Sequence, residues 1–159
     1  MDPSVSKMWD KYLSTIKDTE KPRANRFSVW HFSDKKELAN ELAKLVLKGI
    51  KRGTTSSLLA LQHENEPIPE AGAYSIITDY DGNAQCVIRT TEITITPFNM
   101  VTADFASIEG EGDKSLEYWQ KVHRRCLTEE LESLGIGFSE DTPVICETFE
   151  VVFPENSID

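Results

Sequence analysis

Apolar residues recur at helical spacing from the first residues onward. Met8, Trp9, Tyr12, Leu13 and Ile16 fall on one side of residues 5–17, which predicts a short helix. Residues 18–28 form a polar connector, and Phe27, Val29, Trp30 and Phe32 then mark a short extended segment. Asp34 with Glu37 three residues on reads as a capping box. The helix it opens carries Leu38, Leu42, Leu45 and Val46 as a buried stripe, and Gly49 is its expected stop. Ile50 to Ser57 is rich in Gly, Thr and Ser and reads as a loop. The apolar stretch Leu58–Leu61 follows, and HENEPIPEAG at 63–72 is a connection without periodicity.

From Tyr74 the period becomes extended. Tyr74–Thr78 and Gln85–Thr96 are strand-like, with Asp81-Gly82 as the hairpin signal between them. The apolar phase of the second strand shifts from Cys86 and Ile88 to Ile93 and Ile95, which predicts a bulge near Thr90–Glu92 and a curved sheet. Phe98–Ile108 reads as a short helix. Lys114–Leu134 reads as a long one, with Leu116, Trp119, Val122, Cys126, Leu127 and Leu131 inward. Val144–Phe153 is apolar on both faces, as a central strand is. Helices and strands do not alternate regularly, so the fold class is α+β.

At 159 residues the chain suits one domain with a real core. It has no apolar run long enough to span a membrane, and Met1–Asp18 lacks the apolar core of a secretory signal. Cys86, Cys126 and Cys146 are odd in number and widely spaced, which fits reduced thiols in a cytoplasm rather than a disulfide framework. The net charge of -10 argues against a general nucleic-acid coat. Charge is uneven, however: residues 1–60 carry 12 Lys and Arg against 7 Asp and Glu. Lys44, Lys48, Lys51 and Arg52 are close enough in sequence to form a basic patch.

Phosphate-loop, dinucleotide-binding and nucleophile-elbow motifs are absent. His31, His63 and His123 are far apart and read as surface or packing residues. Glu109-Gly110-Glu111-Gly112-Asp113 is the densest acidic cluster. As a calcium loop it fails, with Lys114 where a glycine belongs and Gln120 where the closing Glu belongs. It reads either as a Gly-rich loop before an Asp113 or Ser115 helix cap, or as a device that aims Glu109 into a cleft. Gly49 to Ser56 places Lys51 beside several hydroxyls. That group suits a nucleophile-and-base pair, anion binding through Lys51, Arg52 and backbone N–H groups, or a plain flexible loop.

Gly49-x-Lys51-x-x-Thr54, the strand Arg89-Thr90-Thr91-Glu92, Phe105-Ala-x-x-Glu109-Gly110 and Ser115-Leu-Glu-Tyr-Trp119 occur in that order. Together they resemble the ASCH domain family, whose fold is similar to the PUA domains: a small β-barrel with helices at its rim. The resemblance covers residues 25–153, leaving 1–24 as an N-terminal helix and connector and 154–159 as a tail. It implies RNA or an RNA-derived nucleoside as partner. Compact bacterial members are amidohydrolases that deacetylate N4-acetylcytidine, and a longer member is a ribonuclease acting on single-stranded RNA. The implied catalytic set is Lys51, Thr54 and Glu109, with no metal or other cofactor. Ser56 stands where compact members carry Arg, and the added helices make this chain more like the longer members.

Three functions follow. In a nucleoside amidohydrolase, Thr54 attacks the carbonyl, Lys51 takes its proton and Glu109 orients Lys51 or shuttles a proton. In an RNA-binding protein or ribonuclease, Lys44, Lys48, Lys51, Arg52, Arg23, Arg26 and Arg89 face phosphates while Trp30 or Tyr74 stacks on bases. In a non-catalytic module, Trp9, Tyr12 and Trp30 serve a partner or a homodimer. The expected cleft joins the loop after Gly49, the Arg89 strand and the Glu109 loop, with Arg52, Thr55, Ser56, Arg89, Asp113 and Tyr118 around the catalytic three.

Overall fold

The structure is a computed structural model and describes residues 1–22 and 26–154. Arg23 and the last five residues of the tail lie outside the described residues. Ten principal elements follow in order: α1 (Pro3–Thr15), β1 (Ser28–Trp30), α2 (Lys36–Leu47), β2 (Gly53–Ser57), α3 (Leu58–His63), β3 (Tyr74–Thr78), β4 (Ala84–Pro97), α4 (Ala103–Glu109), α5 (Leu116–Ser133) and β5 (Pro143–Phe153). The strands form one sheet in the order β1-β3-β4-β5-β2, so β5 is an interior strand, as its two apolar faces require. The chain divides into two units. Unit 1 takes Met1–Ile50, Ala71–Thr91 and Phe149–Asp159; unit 2 takes Lys51–Glu70 and Glu92–Thr148.

In unit 1, Asp2 caps α1 by accepting from Ser4 N at 2.8 Å. The stripe foreseen on this helix is real. Val5, Trp9 and Tyr12 are buried against Ile76 and Val87, with Met8, Leu13 and Ile16 around them. The Trp9 ring lies 4.6 Å from Phe27 and 5.6 Å from Tyr74, centroid to centroid. Trp9 and Tyr12 are therefore part of the core of unit 1. Tyr74 joins the same cluster, and Trp30 packs edge-on to Phe32 at 4.9 Å; both rings are half-buried.

The Asp34–Glu37 capping box does not form. The helix begins two residues after Asp34, at Lys36, with no side-chain cap. It ends as expected: Gly49 takes a φ of 74°, Gly49 N donates to Val46 O, and Ile50 N reaches back to Leu45 O. β1 runs parallel to β3, and β3 and β4 form the expected antiparallel hairpin. The register shift in that ladder falls at Gln85, because Ile77 faces Cys86 while Thr78 faces Ala84. The later phase change has a different cause. Ile95 is 49% exposed, so the outer half of β4 has no core face to keep.

Unit 2 holds a second core of Phe98, Val101, Phe105, Ala106, Trp119, Leu127, Val144 and Cys146. The segment read as one helix over 98–108 is a single 3₁₀ turn, Phe98–Met100, followed by α4, which Thr102 caps. Ser115 caps α5 by accepting from Tyr118 N at 3.0 Å. Cys126 is exposed rather than inward. The supposed loop at 50–57 contains strand β2, which pairs antiparallel with β5 from Gly53–Thr148 to Ser57–Val144. No helix among the described residues is long and apolar enough to cross a membrane.

Candidate functional site

The strand that replaces the loop decides which side chains meet. Successive residues of a strand face opposite sides of the sheet, and directly paired residues share a side. Thr55 pairs with Cys146 and therefore shares its face. Thr54 pairs with Glu147 and Ser56 with Ile145, on the other face. α4 packs against β2 and ends at Glu109, closed by Gly110 in the left-handed conformation.

Glu109 is the hub. It is only 2% exposed, and both oxygens are engaged. Oε1 lies 3.5 Å from Lys51 Nζ. Oε2 accepts from Thr55 Oγ1 at 3.2 Å and from the Trp119 indole N–H, and lies 3.3 Å from His123 Nε2. Lys51 is 1% exposed and donates to Gly53 O at 2.8 Å and Glu111 Oε2 at 2.8 Å. The His123 ring stacks on Trp119 at 4.3 Å, and its Nδ1 lies 2.9 Å from Trp119 O.

Burial alone would raise the Glu109 carboxyl, but Lys51, then His123 and the Trp119 indole, more than offset it and hold the group below its ordinary range. Burial would lower the His123 imidazole, yet the Glu109 charge and hydrogen bond and the Trp119 carbonyl hold it above its ordinary value. The Cys146 thiol is pushed up to about 12, first by burial and then by the Glu109 charge. Glu109 is thus an organising anion surrounded by donors, and His123 is held toward its protonated form.

These shifts set a pH dependence. The His123 contribution to stability is complete below its ordinary value of 6.5 and is lost as pH rises through the raised folded value. The Glu109 contribution is present above its ordinary 4.5 and is lost as pH falls through the lowered folded value. The melting temperature is expected to peak between those limits, and His123→Gln to flatten the alkaline decline. Superimposable wild-type and variant profiles above pH 6.5 would contradict this coupling.

The structure brings together Lys51, Glu109 and Thr55 from the expected set. It adds Glu111, Trp119 and His123, which were not singled out as site residues. Thr54 is half-buried on the opposite face, and among the described residues its hydroxyl makes no hydrogen bond to Lys51 or Glu109. Ser56 shares that face. Arg52 is exposed, and its backbone N donates to Ile108 O at 2.8 Å. Asp113 is exposed and accepts from Ser115 N and Oγ. The Tyr118 ring sits where a Cβ on Gly112 would stand, within 2.4 Å of that position. Arg89 belongs to unit 1, exposed and paired with Glu150 at 3.7 Å. Lys51 is not part of a basic patch, because it is buried; Lys44 and Lys48 are exposed. No group of three or more His, Cys, Asp or Glu side chains among the described residues is arranged to hold a metal ion.

A groove of about 230 Å³ in unit 2 is lined by Ile108, which precedes Glu109 on α4, and by Cys146, the ladder partner of Thr55. Val101, Phe105 and Ile108 give it an apolar wall, Thr94, Thr96 and Thr148 add hydroxyls, and Glu92 and Asp104 add two carboxylates.

A family model for the ASCH domain matches residues 28–153. The chain belongs to the ASCH domain family. An ASCH domain structure from Lactobacillus crispatus JV V101 is 35% identical with a TM-score of 0.90, and the match covers 96% of both chains. A protein of Enterococcus faecalis V583 is 36% identical with a TM-score of 0.83, covering 95% of this chain and 89% of that one. A hypothetical protein at 17% identity and a TM-score of 0.53 shares the fold alone, over 79% of this chain and 99% of that one. No curated protein matches the sequence significantly. The fold of this ASCH chain is thus the α+β, PUA-like one that the resemblance implies. Lys51 and Glu109, which the resemblance singled out, lie 3.5 Å apart in this structure.

Proposed function

We propose that the chain binds single-stranded RNA in unit 2 and cleaves it without a metal, with Lys51 contacting the reacting phosphate. The observation that carries this is a buried lysine braced by a buried carboxylate, Glu109, in the same unit as a groove with an apolar wall. An apolar wall with hydroxyls along it suits a nucleobase, and an ammonium in the same unit suits a phosphate. The chemistry balances within RNA itself. The 2′-oxygen attacks phosphorus, the bond to the 5′-oxygen breaks, and the products are a 2′,3′-cyclic phosphate and a 5′-hydroxyl. Lys51 offsets charge on the non-bridging oxygens, and the leaving 5′-oxygen takes its proton from water. The proton from the 2′-hydroxyl passes to water.

Deacetylation of N4-acetylcytidine fits less well, because Thr54 faces away from Thr55 and Glu109. Unit 2 also limits how RNA is held. It carries six Lys and Arg against fifteen Asp and Glu, which favours contact with one phosphate over a long tract. The test is incubation with an unstructured oligoribonucleotide and its DNA counterpart, both with chelator present. RNA is expected to be cut to 2′,3′-cyclic phosphate ends and DNA left intact. RNA left uncut, or DNA cut equally, overturns the proposal.

A further inference from the structure

The two carboxylates on Lys51 are held in different ways. Glu109 ends a helix and takes donors from Thr55, Trp119 and His123 as well as Lys51. Glu111 is 19% exposed, and among the described residues its side chain makes the Lys51 hydrogen bond and no other. It sits between Gly110 at a φ of 71° and Gly112 at a φ of 58°. A peptide segment flanked by two such glycines can re-orient without the Cβ penalty that other residues incur. The shorter contact is therefore made by the more releasable group: 2.8 Å for Glu111 against 3.5 Å for Glu109.

Charge points the same way. Lys51 is an ammonium with 1% exposure, and removing the Glu111 carboxylate withdraws one of the negative charges placed against it, in a setting where charges interact strongly. The Glu111 oxygen also stands at the distance of a charge-assisted hydrogen bond to the ammonium, where a ligand oxygen would stand.

We propose that the Glu111 carboxylate is the resident occupant of an anion subsite on Lys51, and that a phosphate oxygen of the ligand takes its place when Glu111 swings aside. This deepens the RNA reading, because it rests on Lys51 as the group that meets the ligand. It explains how a lysine with 1% exposure is reached. It also makes the ligand an oxyanion, since a neutral nucleoside has nothing to offer the vacated charge. Glu111 then acts as a built-in competitor, and its removal raises the binding-competent fraction of the protein.

The test uses inorganic phosphate and the full chain, with amide shifts of Gly110 to Gly112 as the readout. Glu111→Gln is expected to bind phosphate at least about tenfold more tightly than wild type. Lys51→Met in the Glu111→Gln background is expected to abolish that gain. Equal phosphate affinity in wild type and Glu111→Gln, or a gain that survives Lys51→Met, overturns the proposal. Should Glu111→Gln fail to fold, Glu111→Asp, whose shorter side chain draws back from Lys51, is expected to show a smaller gain, and no gain there also overturns it. Phosphate binding needs no turnover, so failure of RNA cleavage and failure of the subsite are read separately.

Discussion

Glu109→Ala is expected to destabilise the protein by about 3–5 kcal/mol, the usual cost of removing one partner from a buried charge network. The reason is the number of groups left behind. Lys51 and His123 lose their shared counter-charge, while the Trp119 indole and Thr55 hydroxyl lose their acceptor, all inside unit 2. Each stranded donor has been removed from water without compensation. Against a typical domain stability of about 5–15 kcal/mol this is a large fraction. Glu109→Gln keeps the volume and an acceptor for Trp119 or Thr55, so an intermediate loss is expected. Urea unfolding monitored by circular dichroism measures both. A loss below about 1 kcal/mol for Glu109→Ala would mean the network does not hold unit 2 together.

Lys51→Met is the second large effect, and its size is in rate rather than stability. Methionine approximates the lysine stem in volume and packs well in apolar surroundings. Glu111 can then turn to solvent, and Glu109 retains His123, Trp119 and Thr55. The variant is therefore expected to fold, with a smaller loss of stability than Glu109→Ala because Glu109 keeps three donors. RNA cleavage is expected to fall by about 10²–10³-fold, the range seen when one preorganised donor to developing negative charge is removed. An unchanged pH profile in whatever activity remains would show that Lys51 acts through charge and not as the titrating base.

Much of the fold was legible because it rests on apolar periodicity. The α1 stripe, the α2 stop at Gly49, the β3–β4 hairpin and the interior strand β5 all follow from side chains that must be buried. β2 was not legible, because Gly53-Thr54-Thr55-Ser56-Ser57 has no apolar face. Its strand state comes from backbone pairing with β5, a tertiary effect that local composition does not record. Thr54 entered the expected set through the motif of the resemblance, and once β2 is a strand its alternation sets Thr54 on the face opposite Thr55. Cys126 was misplaced for a geometric reason. At about 100° per residue it falls at the border of the stripe formed by Trp119, Leu127 and Leu131.

The charged centre of the site was legible from motif order, and its surroundings were not. His123 had a signal. Leu116, Trp119, His123 and Leu127 recur at helical spacing on α5, so a histidine occupies an otherwise apolar stripe and needs a buried partner. Glu111 also had one, in its two flanking glycines, but its aim toward Lys51 depends on contacts sixty residues apart in sequence. Arg89 carried no such signal, and its partner Glu150 lies on β5 within its own unit.

The most direct test of the central claim is the initial rate of oligoribonucleotide cleavage by wild type and Lys51→Met, with chelator present and matched circular dichroism spectra. A wild-type rate well above background, reduced by about two to three orders of magnitude in the variant, is the expected result. A folded Lys51→Met protein that cleaves RNA as fast as wild type would show that the buried Lys51–Glu109 network is structural and that the ligand meets the protein elsewhere.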